Sequence, residues 1–352
     1  KIGMRKQILR ACFCASAAYF TAVVSPFFGE AGVMVLIASV FLFAFSLTGF
    51  IAGWFPLLDT FLEPERRTLF FSRMRFCHQL SGTVFLFLVG FVIGGNPPVW
   101  GLQLVLLAAA VIFTGRAAAI SRIPVFEGRQ NESAGFLSGL NTAVGNKPMA
   151  GFSLYFFLLN LTAFGTVPLM MLYLKNGLNA PDNVIVLISA CSLSGMLFGY
   201  LCIGRLLKRI GMKHTFLLLH FIFFAVNGGL FLIGGRSMAT YLLIAFFLLV
   251  YSFAAAASSI VASAEMMKLA SPGNKIMAMA FNGAFFYGGS GLSRFLTSLL
   301  LGSGMFAAEW QLGATTVCRY RTFLLLYCAA ILLAAPFLLL VPAVNSGKSN
   351  KP

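Results

Sequence analysis

The sequence predicts an all-α polytopic membrane protein in which two helical bundles repeat one another. Three observations carry this expectation. Hydrophobic residues make up 59% of the 352-residue chain and charged residues 10%, with a mean hydropathy of +0.91, far too little polar surface for a water-soluble domain. The apolar residues form continuous runs of Leu, Phe, Ala and Val that do not alternate with polar ones, which selects helices over a barrel. Finally, Lys1-Ile2-Gly3-Met4-Arg5-Lys6 returns as Arg209-Ile210-Gly211-Met212-Lys213-His214, 208 positions on, each copy preceding a long apolar run at 7–28 or 215–235.

A hydrocarbon core of ~30 Å takes about 20 helical residues. On that template the chain holds ten spans, at 7–28, 33–56, 77–95, 99–120, 150–174, 184–204, 214–234, 239–263, 276–302 and 320–342. The basic residues fall between them on alternate sides. Lys1, Arg5 and Lys6 precede the first span and Arg10 lies at its start; Arg66, Arg67, Arg73 and Arg75 separate the second from the third. Arg116, at the inner end of the fourth, lies on the same side as Arg122, Arg129 and Lys147 beyond it, and Arg205, Lys208, Arg209 and Lys213 join the sixth to the seventh. Lys268 and Lys275 precede the ninth, and Lys348 and Lys351 lie in the tail. The opposite side holds Lys175, Arg236, Arg319 and Arg321, while Arg294 lies within a span. Twenty against four is a positive-inside bias that puts both ends of the given chain in the cytoplasm.

These elements divide into a four-helix partial bundle at 1–120, a cytoplasmic linker at 121–149, a six-helix bundle at 150–343 and a polar cytoplasmic tail at 344–352. Asn131-Glu132-Ser133 in the linker is a formal glycosylation sequon on the inner side, hence incidental. The repeat supports the division. A shift of 208 carries Pro64 onto Pro272, Arg67 onto Lys275, 33–56 onto 241–264 and 77–95 onto 285–303. It fails at the last span, where the loop at 303–319 has grown. If each half has six helices, the first two precede Lys1 and the intact protein has twelve.

Composition also excludes functions. The net charge of +16 sits in short loops without interleaved aromatics or zinc spacing, so it marks topology and not nucleic-acid binding. The seven cysteines (Cys12, Cys14, Cys77, Cys191, Cys202, Cys318, Cys328) form no CxxC pair and read as small buried hydrophobes; no metal or other cofactor is expected. The three histidines (His78, His214, His220) are scattered, so an intramembrane enzyme has no catalytic constellation to use.

The segment Gly204-Arg205-Leu206-Leu207-Lys208-Arg209-Ile210-Gly211-Met212-Lys213 resembles the loop motif G-x-L-a-D-r-x-G-r-k of the major facilitator superfamily of secondary transporters. Lys208 departs from its acidic position, and Lys1 to Lys6 keeps only the tail of the first copy. The resemblance implies a cytoplasmic gating loop carried by Gly3, Arg5, Lys6, Gly204, Arg209, Gly211 and Lys213. Obedience to the positive-inside rule would equally explain the basic members. Trp54 to Arg67 looks like a segment of other family members, with Asp59 placed to pair with Arg66, Arg67, Arg73 or Arg75; Glu265 and Lys268 occupy the equivalent rim of the second half.

Polar residues within spans mark the transport path. Family geometry draws the walls from the second, fifth and eighth spans, with Ser46, Thr48, Asn160, Thr162, Tyr251 and Ser252. The third, sixth and ninth add His78, Gln79, Ser192, Asn282, Tyr287 and Arg294. Of these Asn160, Tyr251, Asn282, Tyr287 and Arg294 are the substrate-path candidates. Arg294, 18 residues into its span, suits an anion-attracting group in the outer cavity or a side chain snorkelling to the surface. Asn160 and Asn282 suit interhelical hydrogen bonds or substrate contact. Gly195-x-x-x-Gly199, Ala254 to Ala257 and Gly288-Gly289-x-Gly291 read as close helix packing.

The resemblance thus implies a monomeric transporter of a small-molecule solute, set in lipid of a bacterial cytoplasmic membrane. A coupling ion such as H+ would need a titratable group from the missing helices; otherwise the protein is a uniporter or exchanger. A receptor or assembly factor that keeps this fold without transporting is the alternative.

Overall fold

Glycine, proline and polar residues decide where each apolar run stops, and the computed structural model shows where this happens. It describes residues 4–59, 64–123, 136–270, 275–313 and 315–340. The helices are α1 (Met4–Val24), α2 (Gly32–Asp59), α3 (Pro64–Val92), α4 (Val99–Ser121), α5 (Phe136–Gly145), α6 (Lys147–Ala163), α7 (Thr166–Leu172), α8 (Asp182–Leu232), α9 (Met238–Leu269), α10 (Lys275–Gly302) and α11 (Arg319–Leu340). Eight segments among the described residues are long and apolar enough to cross a membrane, and one of them, Arg5–Phe50, contains most of both α1 and α2. This is an integral multi-pass membrane protein.

Every expected span falls on helix, with instructive differences at the ends. α1 stops at Val24 and not at 28, because Ser25-Pro26 opens a tight 3-10 turn in which Gly29 takes φ 56°. α3 begins at Pro64, well before 77, because proline at the first helical position is preorganised for the turn and the basic stretch winds on from it. The linker expected at 121–149 contains α5, and its sequon lies outside the described residues. Asn146 then caps α6: its Oδ1 accepts from the Met149 N–H (3.2 Å) and its Nδ2 donates to Leu269 O (2.7 Å).

α8 covers two expected spans and is divided at Gly211, whose φ of 74° and ψ of 172° leave the helix. The motif's glycine is needed for this conformation and not for space, since nothing lies within 4 Å of a Cβ there. Gly204 has the same open surroundings but an ordinary helical backbone. Gly211→Ala should therefore cost about 1–2 kcal/mol, whereas Gly204→Ala should be neutral or stabilise by up to about 1 kcal/mol. Thermal unfolding of the two variants side by side checks this, and equal effects would refute the backbone argument.

The repeat is visible in the helices. Shifted by 208, α1 lands on 212–232, the second arm of α8; α2 lands within α9, and α3 on 272–300 against α10. α4 lands on 307–329, but α11 begins only at Arg319. The difference is a β-hairpin, β1 (Glu309–Leu312) with β2 (Thr315–Cys318), antiparallel with Glu309 opposite Cys318. It is an exception to the all-α expectation, placed where the repeat register failed.

Contacts group the chain into two units, Lys1–Arg73 with Ile93–Glu132 and Met74–Val92 with Ser133–Pro352. The first unit packs α1 against α2 and α4 around Ile8, Cys12, Phe50, Leu57, Ala117 and Ile120. Gln103 Nε2 donates to Val23 O (2.9 Å), covering a carbonyl left open at the end of α1. The second unit has the larger core, with Phe152, Tyr155, Phe156, Phe216, Phe223 and Phe323 buried between helices. Its closest seam is α8 against α9. There Ser192 and Ser252 hydroxyls meet at 2.7 Å, and Gly195 and Gly199 let the α9 backbone approach.

Candidate functional site

The fifth expected span lies within one apolar helical segment, Lys147–Gly177, that is interrupted once. It breaks at Phe164-Gly165, between α6 and α7, inside the second unit. A helix that ends in an apolar interior leaves carbonyls that must find donors. Ala163 O finds two: the Tyr251 hydroxyl of α9 and Thr166 Oγ1 (3.0 Å). Thr166 Oγ1 is also 3.0 Å from Asn227 Oδ1, and Asn227 Nδ2 donates to Phe223 O (2.8 Å) on the second arm of α8. Gly165 makes room on the far side. A Cβ there would lie 1.9 Å from the Tyr327 hydroxyl and 2.9 Å from Thr297 Oγ1. Those two hydroxyls, from α11 and α10, hydrogen-bond to each other.

The result is a buried polar ring, built on a broken helix and drawn from six helices. One turn before the break, Asn160 donates from Nδ2 to Phe156 O of its own helix, while its fully buried Oδ1 has no partner. Asn160 packs against Gly289 of α10, and Ser293 Oγ one turn further along α10 also has none. Arg294 is exposed on α10, one turn before Thr297. The ring offers neutral donors and acceptors with one guanidinium beside it, and such groups are costly to bury in a membrane protein.

Of the expected path residues, Tyr251 belongs to the ring, Asn160 lies one turn before the break and Arg294 lies one turn before Thr297 on α10. Among the described residues neither Asn160 nor Asn282 makes an interhelical hydrogen bond, and the buried Oδ1 of Asn282 meets no partner there. Tyr287 is exposed, its ring 5.0 Å from that of Phe286. Ser46 and Thr48 in the first unit bond back to their own helix. Gln79 donates to Leu193 O (3.2 Å), and His78 is exposed. Thr166, Asn227, Thr297 and Tyr327 were not among the expected residues. Asn227 and Tyr327 lie in the seventh and tenth spans, from which no wall was drawn, whereas Thr166 and Thr297 lie in the fifth and ninth, where a lone threonine in an apolar run gives no sign of what it faces.

The motif residues lie at helix ends. Arg5 and Lys6 are in the first turn of α1, Arg209 is exposed and Lys213 half-buried around Gly211. Arg205 and Arg209 line a shallow groove with Cys202, Leu206 and Phe253. Gly3 and the side chains of Asp59 and Lys208 lie outside the described residues. Glu265 is buried near the end of α9, with Lys268 Nζ 3.2 Å away. Arg321, counted by sequence as a loop charge, is also buried. Its Nε donates to Phe231 O (2.7 Å) and its Nη1 to Thr316 O (3.2 Å), tying the hairpin to the end of α8. Among the described residues no three His, Cys, Asp or Glu side chains group to hold a metal.

Comparison with known proteins adds the family. The model of the Major Facilitator Superfamily matches residues 1–293. A point-mutant form of the nucleoside transporter NupG shares 19% identity and a TM-score of 0.68 over 97% of this chain and 84% of its own. A bacterial homologue of the iron transporter ferroportin, in its inward-facing state, shares 16% and 0.64 over 95% and 82%. A point mutant of the E. coli fucose:proton symporter FucP shares 11% and 0.59 over 96% and 84%. At these identities the likeness is one of fold. Among curated proteins none matches the sequence.

Proposed function

The chain belongs to the Major Facilitator Superfamily of transporters, and we propose that it moves a small solute across the membrane by alternating access between two helical bundles. The observation that carries this reading is the buried polar ring at the α6–α7 break. Broken helices that point backbone and hydroxyl groups at a common centre are how secondary transporters build solute sites near the midplane. The ring's hydroxyls and amides suit a small polar solute. The fold is shared with proteins named for a nucleoside and for fucose. In this reading Asn160, Tyr251 and Arg294 line the path, with Asn282 and Tyr287 further along α10.

The topology we propose puts the basic loops and both ends of the given chain in the cytoplasm of a bacterial cell. The bundles at 1–120 and 150–343 act as the moving halves, and the loops around Gly3 and Gly211 serve as gates, with Asp59 at the rim. The protein works as a monomer in lipid, with a coupling ion such as H+ as a further partner.

Two measurements test the reading. Counterflow in proteoliposomes with labelled uridine, fucose and inorganic phosphate should show flux above empty vesicles, which a receptor or assembly factor would not give. On a cysteine-free background, Thr297→Cys should react with an impermeant maleimide from each side of the membrane in turn. Reaction from one side alone under every condition would rule out alternating access. If an anionic member of the panel is carried, Arg294→Ala should weaken its uptake about tenfold or more, the worth of a charge-assisted hydrogen bond. Unchanged uptake would remove Arg294 from the path.

A further inference from the structure

Arg116 in α4 departs from the behaviour of a basic residue near a helix end. Five residues before Ser121, it would ordinarily run its side chain outward to water. It runs the other way. Its Cζ lies 3.5 Å from the centroid of the Phe50 ring and 5.5 Å from that of Phe113, one turn back along α4. Phe50 is nine residues from the end of α2. At 1.5 Å per residue the guanidinium therefore sits roughly 13 Å inside that end.

The surroundings hold it there. Trp54 stacks behind Phe50 with centroids 5.4 Å apart, and Phe113 packs against Tyr19 (5.7 Å) and Phe43 (5.4 Å). Stacking of this kind occupies the face of a guanidinium and leaves its five N–H donors around the edge. Among the described residues no carboxylate pairs with Arg116 and no acceptor takes one of its hydrogen bonds. Its nitrogens are also not among the sealed, unpartnered atoms, and the residue is half-buried, so a ligand can reach them. It is a cation oriented by aromatic rings and drawn into the span, and among the described residues it has no anion.

We propose that Arg116 is an oxyanion-binding site, taking a carboxylate or phosphate group edge-on in the bidentate geometry that guanidinium favours. As a cargo site this rests on the transport reading and sharpens it, since the solute then carries an anionic group. The same chemistry is presented by an anionic lipid head, and the test separates the two sources.

The purified protein is reconstituted in nanodiscs of phosphatidylcholine, and its melting temperature is followed against inorganic phosphate at constant ionic strength. A rise of roughly 5 °C at saturation is expected for a site in the folded state. It should vanish in Arg116→Gln and fall by more than half in Arg116→Lys, which keeps the charge, and the fold, but not the fork. If a lipid is the natural ligand, native mass spectrometry should show phosphatidic acid retained by the wild type and lost from both variants. A phosphate shift that persists in both variants, or the absence of phosphate shift and lipid retention alike, would overturn the proposal. Flux absent for every solute, with an Arg116-dependent shift intact, would sink the transport reading and leave this one standing.

Discussion

Gly195→Leu should abolish accumulation of folded protein, and Gly195→Ala alone should cost about 3 kcal/mol, the upper part of the range for overpacking a tight interface. The reason is the identity of the neighbour. A Cβ at Gly195 would sit 2.0 Å from the backbone oxygen of Leu249 and 2.8 Å from its carbonyl carbon. A side chain can swing away, but a helix backbone cannot move without carrying α9 with it. One turn on, Gly199 faces Phe253 O at 2.7 Å and Ala256 Cβ at 2.9 Å, so its alanine variant should be damaging but less so. Gly228, whose nearest neighbour is Cys328 Sγ at 4.0 Å, should tolerate alanine, and Gly283, with nothing within 4 Å, should too. Thermal unfolding in detergent, with the yield of monodisperse protein, ranks the four. A ranking that ignores these distances would show that the α8–α9 seam is not the rigid element described.

Much of this seam could be read from the sequence, because small residues four apart inside an apolar run have few other uses. The same is true of the apolar helical runs and of the repeat, where α1 shifted by 208 coincides with the second arm of α8. What the sequence withheld has a common cause. The break at Gly165, the burial of Arg321 and the inward turn of Arg116 depend on what lies across from each residue, and a hydropathy pattern carries no information on that. Arg321 and Arg319 look alike in sequence, yet one caps the end of α8 through Phe231 O and the other lies over the Tyr320 ring. The polar ring was half legible: Tyr251, and Asn160 one turn before the break, were conspicuous as polar residues in apolar spans. Asn227 was equally conspicuous, but only the helix packing reveals that it shares a centre with Thr166.

The second large effect is expected at that centre. Gly165→Ala should lower solute flux at least tenfold and cost about 1–3 kcal/mol of stability, the usual penalty for an added methyl without room. Here the obstacle is not backbone but the Tyr327 hydroxyl, 1.9 Å from the new Cβ. Tyr327 can yield only by abandoning Thr297, which breaks the link between α10 and α11 at the level where α6 ends. Removing the hydroxyl should relieve part of the strain, since the ring Cζ, 2.6 Å from the new Cβ, and Thr297 Oγ1, 2.9 Å from it, remain. Tyr327→Phe alone should cost about 1 kcal/mol, one hydrogen bond, but added to Gly165→Ala it should recover part of the lost stability. The coupling energy should be about 1–2 kcal/mol, within the range for residues in contact. Flux should not recover with it, because the ring stays one donor short. Stability and flux thus separate in a single double-mutant cycle. Recovery of both would mean that Gly165 matters only for packing, whereas recovery of neither would mean that the helix break itself, and not the hydroxyl beside it, sets the cost.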